Sequence, residues 1–121
     1  MTNAIVLEEP ARDTHCCDSN VEATLSTAEA QQVTNDMLIL AHPVRLQIIS
    51  ILGRHQGQVC VCDIESAVPV KQPTVSHHLR LLRDAGLVDC ERHGLWAYYF
   101  LKREALTELR ARVSERLNAL S

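Results

Sequence analysis

The sequence predicts a mainly α (α+β) fold in which four helices precede a two-stranded β-hairpin and a fifth helix closes the chain. Three observations carry that expectation. Apolar residues make up 46% of the 121 positions but aromatic ones only 3%, so the core must be Leu, Val, Ile and Ala, a composition that favours packed helices over a β-sandwich. Apolar side chains recur at helical spacing between recognisable caps and prolines. One stretch, from Leu87 to Leu101, instead reads as two strands about a turn.

In chain order, residues 1–25 show neither helical nor strand periodicity and are rich in Glu, Asp, Thr and Asn; they are expected to form a flexible arm. Residues 26–121 then form the folded domain. Ser26-Thr-Ala-Glu29 fits a capping box, so a first helix runs to about Ala41 with Val33, Met37 and Leu40 on its apolar face. Pro43 suits the first turn of a second helix, where its missing N–H costs nothing. Val44, Leu46, Ile48, Ile49, Ile51 and Leu52 make that helix apolar over much of its girth and hence central to the core, with Gly53 and Gly57 bracketing its end. A short third helix is expected near Asp63–Val68, stopped by Pro69. Gln72-Pro73 opens a fourth, with Val75, Leu79 and Leu82 on one face and Gly86 as a left-handed cap. Leu87–Glu91 and Trp96–Leu101 are strand-like, with Arg92-His-Gly94 as the turn. The last helix, about Arg103 to Leu120, presents Leu106, Leu109, Val113, Leu117 and Leu120. A short helix, a tight turn, a longer helix and a two-stranded wing together make a winged helix-turn-helix.

Composition narrows the functional classes. No run of eighteen apolar residues occurs, and the acidic N-terminus lacks the basic-then-apolar layout of a signal peptide, so a cytoplasmic protein with no membrane partner is expected. The net charge of −3 is unevenly spread. Residues 1–40 hold one base against seven acids, a net −6, whereas residues 41–121 hold 11 bases and 8 acids, a net +3. A mildly basic body behind an acidic arm permits a nucleic-acid partner. Five cysteines in a reducing compartment do not make a disulfide frame; four come as close pairs, Cys16-Cys17 and Cys60-Val-Cys62, which read as metal ligands or redox switches.

A DNA-reading helix needs short polar or basic side chains on its exposed N-terminal face, where it meets base edges in the major groove. Gln72, Thr74, Ser76, His77 and Arg80 answer that need, Lys71 and the helix N-terminus suit phosphates, and Arg92 and His93 at the hairpin tip are placed to touch DNA from the wing. Of the two adjacent histidines, His77 is expected to face DNA, and His78 the core or the dimer side.

Here the chain resembles the ArsR/SmtB family of bacterial metal-sensing repressors. The resemblance rests on Ala41-His-Pro-Val-Arg-Leu46, Val59-Cys-Val-Cys-Asp-Ile64, and Gln72-Pro-Thr-Val-Ser-His-His-Leu-Arg-Leu-Leu through Ala85-Gly-Leu-Val88, about residues 33–101 in all. It implies a homodimer, joined through the first and last helices, that binds double-stranded operator DNA with an inverted repeat and lets go when an inducing ion binds. Two-fold symmetry would set the recognition helices about 34 Å apart. One departure is His42, where the family usually has Asp before the proline.

Soft thiolates select soft ions: As(III), Sb(III), Cd(II), Pb(II), Cu(I) or Zn(II). In a regular helix Cys60 and Cys62 would lie about 200° apart, unable to share an ion easily unless Cys60 precedes the helix. From Cys17 to Ser26 the chain reaches at most about 30 Å, enough for the arm to dock on its own or its partner's third helix. Cys16, Cys17, Cys60 and Cys62 thus offer three or four sulfurs, three suiting trivalent arsenic or antimony and four suiting cadmium or zinc. By resemblance, the Cys-Val-Cys-Asp run belongs to the family's third-helix site. Arsenic sensors of the family often carry a further Cys where Glu65 stands here, and Cys16-Cys17 would replace it. Cadmium and lead sensors recruit such a pair too. The family's last-helix zinc and nickel site uses His, Asp and Glu; residues 103–121 contain no His, so that site is expected to be absent. Cys90, alone in a strand, is read as packing. The function expected is an As(III)/Sb(III)-released repressor. The alternatives are a Cd(II), Pb(II) or Zn(II) sensor of the same family, or a thiol-redox repressor; no Cys-X-X-Cys motif or polar constellation supports an enzyme.

Overall fold

The computed structural model describes residues 21–120. Helix α1 (Thr27–Leu40) begins at a complete capping box: the Ser26 hydroxyl accepts from the Glu29 amide (3.1 Å), and the Glu29 carboxylate accepts from the Ser26 amide (3.3 Å). Helix α2 (Pro43–Arg54) carries Pro43 at its first position, and His42 caps it by accepting the Val44 amide at Nδ1 (3.2 Å). Val44, Ile48 and Leu52 are buried at its centre, whereas Leu46 remains half-exposed. The expected central helix is therefore apolar on more sides than the described chain covers.

Strand β1 (Val59–Cys60) is a two-residue element, and helix α3 (Val61–Ala67) follows it without a break. Both differ from expectation: α3 starts two residues before Asp63, and the hairpin gains a third, short strand. The cause is non-local, since Val59 and Cys60 pair antiparallel with Tyr99 and Tyr98. A four-residue turn, Val68 to Lys71, leads to helix α4 (Gln72–Asp84). A Schellman motif closes α4: Gly86, at φ +79°, donates to the Arg83 carbonyl (2.9 Å), and Leu87 donates to Leu82 (3.0 Å).

Strands β2 (Val88–His93) and β3 (Trp96–Leu101) form the wing, in the sheet order β1-β3-β2. The turn is Gly94-Leu95, flanked by the His93–Trp96 pair, so Arg92 and His93 lie in β2 rather than in the turn expected at residues 92–94. Gly94 sits at φ +67° and no non-glycine among the described residues has positive φ, which matches a type II′ turn, with glycine first, and excludes type I′.

Helix α5 (Arg103–Asn118) packs against α1. The core joins Ile48 and Leu52 of α2, Ile64 of α3, Val75, Leu79 and Leu82 of α4, Val88 of β2 and Leu109 of α5, all essentially without solvent contact. Outside it, Asp36 of α1 is buried beneath Arg112 of α5, whose Nε and Nη2 donate to the two carboxylate oxygens at 3.2 and 3.3 Å. Arg116 likewise donates to Glu29, which also caps α1. Val33 is buried as expected, but Met37, expected on the apolar face, is exposed, as are Leu38, Leu117 and Leu120. Among the described residues no single helix is long and apolar enough to cross a membrane.

Candidate nucleic-acid interface and metal centre

The buried side of α4 is Val75, His78, Leu79 and Leu82. At about 100° per residue, Ser76, His77 and Arg80 fall on the opposite side, with Gln72 and Thr74 flanking them. All five, together with Lys71 ahead of the helix, are exposed. The first two turns of α4 thus present hydroxyl, amide, imidazole and guanidinium groups with the donor and acceptor variety that base edges require. His77 and His78 diverge as expected, one outward and one into the core.

Arg92 and His93 lie on exposed β2 beside the hairpin tip. His93 is braced: its Nε2 lies 3.0 Å from Gln58 Oε1 and 3.6 Å from Glu91 Oε2, while Gln58 Nε2 donates to that same Glu91 oxygen at 2.6 Å. The loop after α2 therefore holds the base of the wing tip. Leu95 and Trp96 are exposed at that tip. A second tie, Arg83 to Asp89 (3.2 Å), joins the end of α4 to β2. Gln58 carries no local sequence signal, because its partners Glu91 and His93 lie 33 and 35 positions along the chain.

Cys60 occupies the N-cap position of α3 in extended geometry (φ −61°, ψ 137°). That placement satisfies the condition under which Cys60 and Cys62 can meet. Interaction with the Cys60 thiol, foremost, holds the Cys62 thiol above its ordinary value, with desolvation and the charge of Asp63 adding to it. Cys60 is buried and Cys62 exposed, so the pair opens to solvent on one side. Two adjoining sulfurs make half of a tetrahedral donor set or two-thirds of a pyramidal one. Among the described residues no group of three or more His, Cys, Asp or Glu is placed to hold a metal ion. Cys16 and Cys17, named as ligands from the sequence, lie outside the described residues. Cys90 sits in β2 opposite Tyr99, hydrogen-bonded to it and away from the thiol pair.

A short helix bearing paired thiols, a four-residue turn, a polar-faced second helix and a braced hairpin define a winged helix-turn-helix DNA-binding regulator. Comparison with known proteins agrees. The family model described as bacterial regulatory protein, arsR family, matches residues 42–89. The cadmium resistance transcriptional regulatory protein CadC of Listeria innocua is 32% identical, over 75% of this chain and 76% of its own length. The arsenical resistance operon repressor of Escherichia coli is 43% identical, over 52% of this chain and 53% of its own. The crystal structure of the transcriptional repressor BigR from Xylella fastidiosa superposes with a TM-score of 0.57 at 32% identity, covering 69% of this chain and 82% of that one. The chain belongs to the ArsR family, and it is a transcriptional repressor rather than an enzyme.

Proposed function

We propose that the protein is a metalloid-responsive repressor: a homodimer that holds an inverted-repeat operator and is released when As(III) or Sb(III) is bound by Cys60 and Cys62 with Cys16 and Cys17. The observation that carries this reading is the meeting of Cys60 and Cys62 at the head of α3, one four-residue turn before α4. Gln72, Thr74, Ser76, His77 and Arg80 read the major groove, Lys71 takes phosphate, and Arg92 and His93 contact DNA from the wing. Exposed Met37 and Leu38 on α1, with Leu117 and Leu120 at the end of α5, support a dimer through these two helices.

An ion that ties the arm to the head of α3 acts where α3 and α4 share the core residues Ile64, Val75 and Leu79. Any shift of α3 is thereby passed to the DNA-reading helix, and a coupling of about 1–3 kcal/mol alters operator affinity roughly 5- to 150-fold. The thiols must lose their protons to bind. A cadmium- or lead-type sensor is the second reading. It is favoured by the carboxylate Glu65 where a further thiol would serve arsenic and by similarity to CadC.

Operator release by arsenite tests the proposal, using single serine replacements at Cys16, Cys17, Cys60 and Cys62. Each variant should bind operator as the wild type does and resist release. Normal release in Cys60→Ser and Cys62→Ser removes the site, and normal release in the two arm variants removes the arm from it.

A further inference from the structure

His42, the N-cap of α2, and His78 of α4 meet with their rings tilted against one another. Their ring centroids are 4.2 Å apart, with 38° between the planes. His78 lies on the buried side of α4 and is 5% exposed; its Nδ1 is buried and has no hydrogen-bond partner among the described residues. His42 is the N-cap of α2, and its Nδ1 serves the cap only while it carries no proton, because it accepts the Val44 N–H. We propose that His42 is a positioning residue for DNA reading: it sets α4 through its ring contact with His78, and the contact holds only while both imidazoles are neutral. This rests on α4 being the DNA-reading helix.

The surroundings of His78 explain the requirement. The groups acting on it are His42 at the cap of α2, Arg45 inside α2, and His77 on α4 itself; no acid is among them. Arg45 is a fixed cation, since its Nη1 donates to the Leu38 and Ile39 carbonyls at 2.9 and 3.1 Å and so clamps the end of α1. Burial first, then His42, Arg45 and His77, hold the His78 imidazole below its ordinary 6.5. A proton on His78 would lie buried beside a cation, and one on Nδ1 of His42 would cost the α2 cap its acceptor. Either drives the rings apart, and with them the packing of α4 on α2. The folded form takes up this proton less readily than the unfolded chain, so the contribution of the joint is complete above about 6.5 and is lost as the pH falls below it.

The test compares wild type, His78→Phe and His42→Asn across pH 7.5 to 5.5, reading operator Kd and thermal midpoint. Phe keeps a ring without a titrating nitrogen; Asn keeps a good N-cap without the ring. Wild-type binding at pH 7.5 establishes that the regulator reads its operator, separately from the joint. Effects of pH common to all three proteins cancel in the variant-to-wild-type ratios, which isolate the joint. The expected result is that wild type weakens in acid relative to His78→Phe by severalfold, below the ceiling of about tenfold per pH unit for one proton. His42→Asn should bind operator severalfold more weakly than the wild type at pH 7.5 and show the flatter pH profile. Should His78→Phe fail to fold, His42→Asn alone decides. Kd ratios that do not change with pH, or full operator affinity in His42→Asn, overturn the proposal.

Discussion

Leu79→Ala and Leu81→Ala make the same chemical change two positions apart on α4, yet the structure separates them sharply. Leu79 has no solvent exposure and belongs to the cluster with Ile48, Leu52, Val75 and Leu82, whereas Leu81 is 36% exposed. Truncating Leu79 removes three buried carbons at about 0.8 kcal/mol each, and the hole left in a close-packed core raises the cost to about 3–4 kcal/mol. Leu81 leaves no enclosed cavity and should cost about 1 kcal/mol or less. Helix propensity cancels between the two. Against a total stability of about 5–15 kcal/mol, Leu79→Ala should lower the thermal midpoint by roughly 12–30 °C and Leu81→Ala by less than about 8 °C. Far-UV circular dichroism during thermal unfolding is the suitable assay, because Trp96 is half-exposed on the wing and reports poorly on the core. Equal midpoints for the two variants would refute the placement of α4's inner face.

Two further outcomes follow from local geometry. Gly86→Ala meets no atom within 4 Å, so its cost is conformational: about 1–2 kcal/mol for an L-residue at φ +79°, partly offset by about 0.4–1 kcal/mol from a stiffer unfolded chain. It should therefore destabilise modestly in urea titration, while Gly57→Ala, with open space and no positive φ, should not. Because interaction with Cys60 holds the Cys62 thiol above its ordinary value, inducer binding must displace that proton. Arsenite enters as As(OH)3, so each thiol proton leaves with a hydroxide as water, and its apparent affinity should stay nearly flat between about pH 6.5 and 8.5. That for cadmium, which must release the protons to solvent, should rise by up to about tenfold per unit for each thiol that ionises, as read by equilibrium titration. An arsenite affinity that climbs as steeply contradicts the exchange of thiols for hydroxides.

The parts of this fold that were legible in the sequence are those whose causes are local. Ser26 with Glu29, Pro43 and Gly86 each mark a helix end through residues within a turn of it, and each stands where expected. What stayed hidden depends on partners far along the chain. Strand β1 exists only because residues 59–60 find Tyr98 and Tyr99, and that pairing sets α3 starting at Val61 and makes Cys60 its cap. Asp36 looked like one of several acids in a polar region, and only Arg112 explains its burial. The turn begins two residues later than expected because a two-residue loop is set by strand pairing, here of His93 with Trp96. His42 stood out only as a departure from the family's usual Asp; its contact with His78 lies 36 positions away. The thiol pair was legible as chemistry, but its convergence depended on where α3 begins.

The central claim is that the Cys60–Cys62 pair commands the DNA-reading helix. One titration tests it most directly: fluorescence anisotropy of a labelled operator complex against arsenite, antimonite, cadmium, lead and zinc, for wild type and for the Cys60→Ser, Cys62→Ser double variant. Arsenite and antimonite should dissociate the wild-type complex at about one ion per protomer, the count expected when three or four thiolates share one ion, and leave the double variant bound. Release of both proteins by the same ion at the same concentration would contradict the claim, and release of wild type by cadmium or lead with arsenite inert would keep the site but reassign its ion.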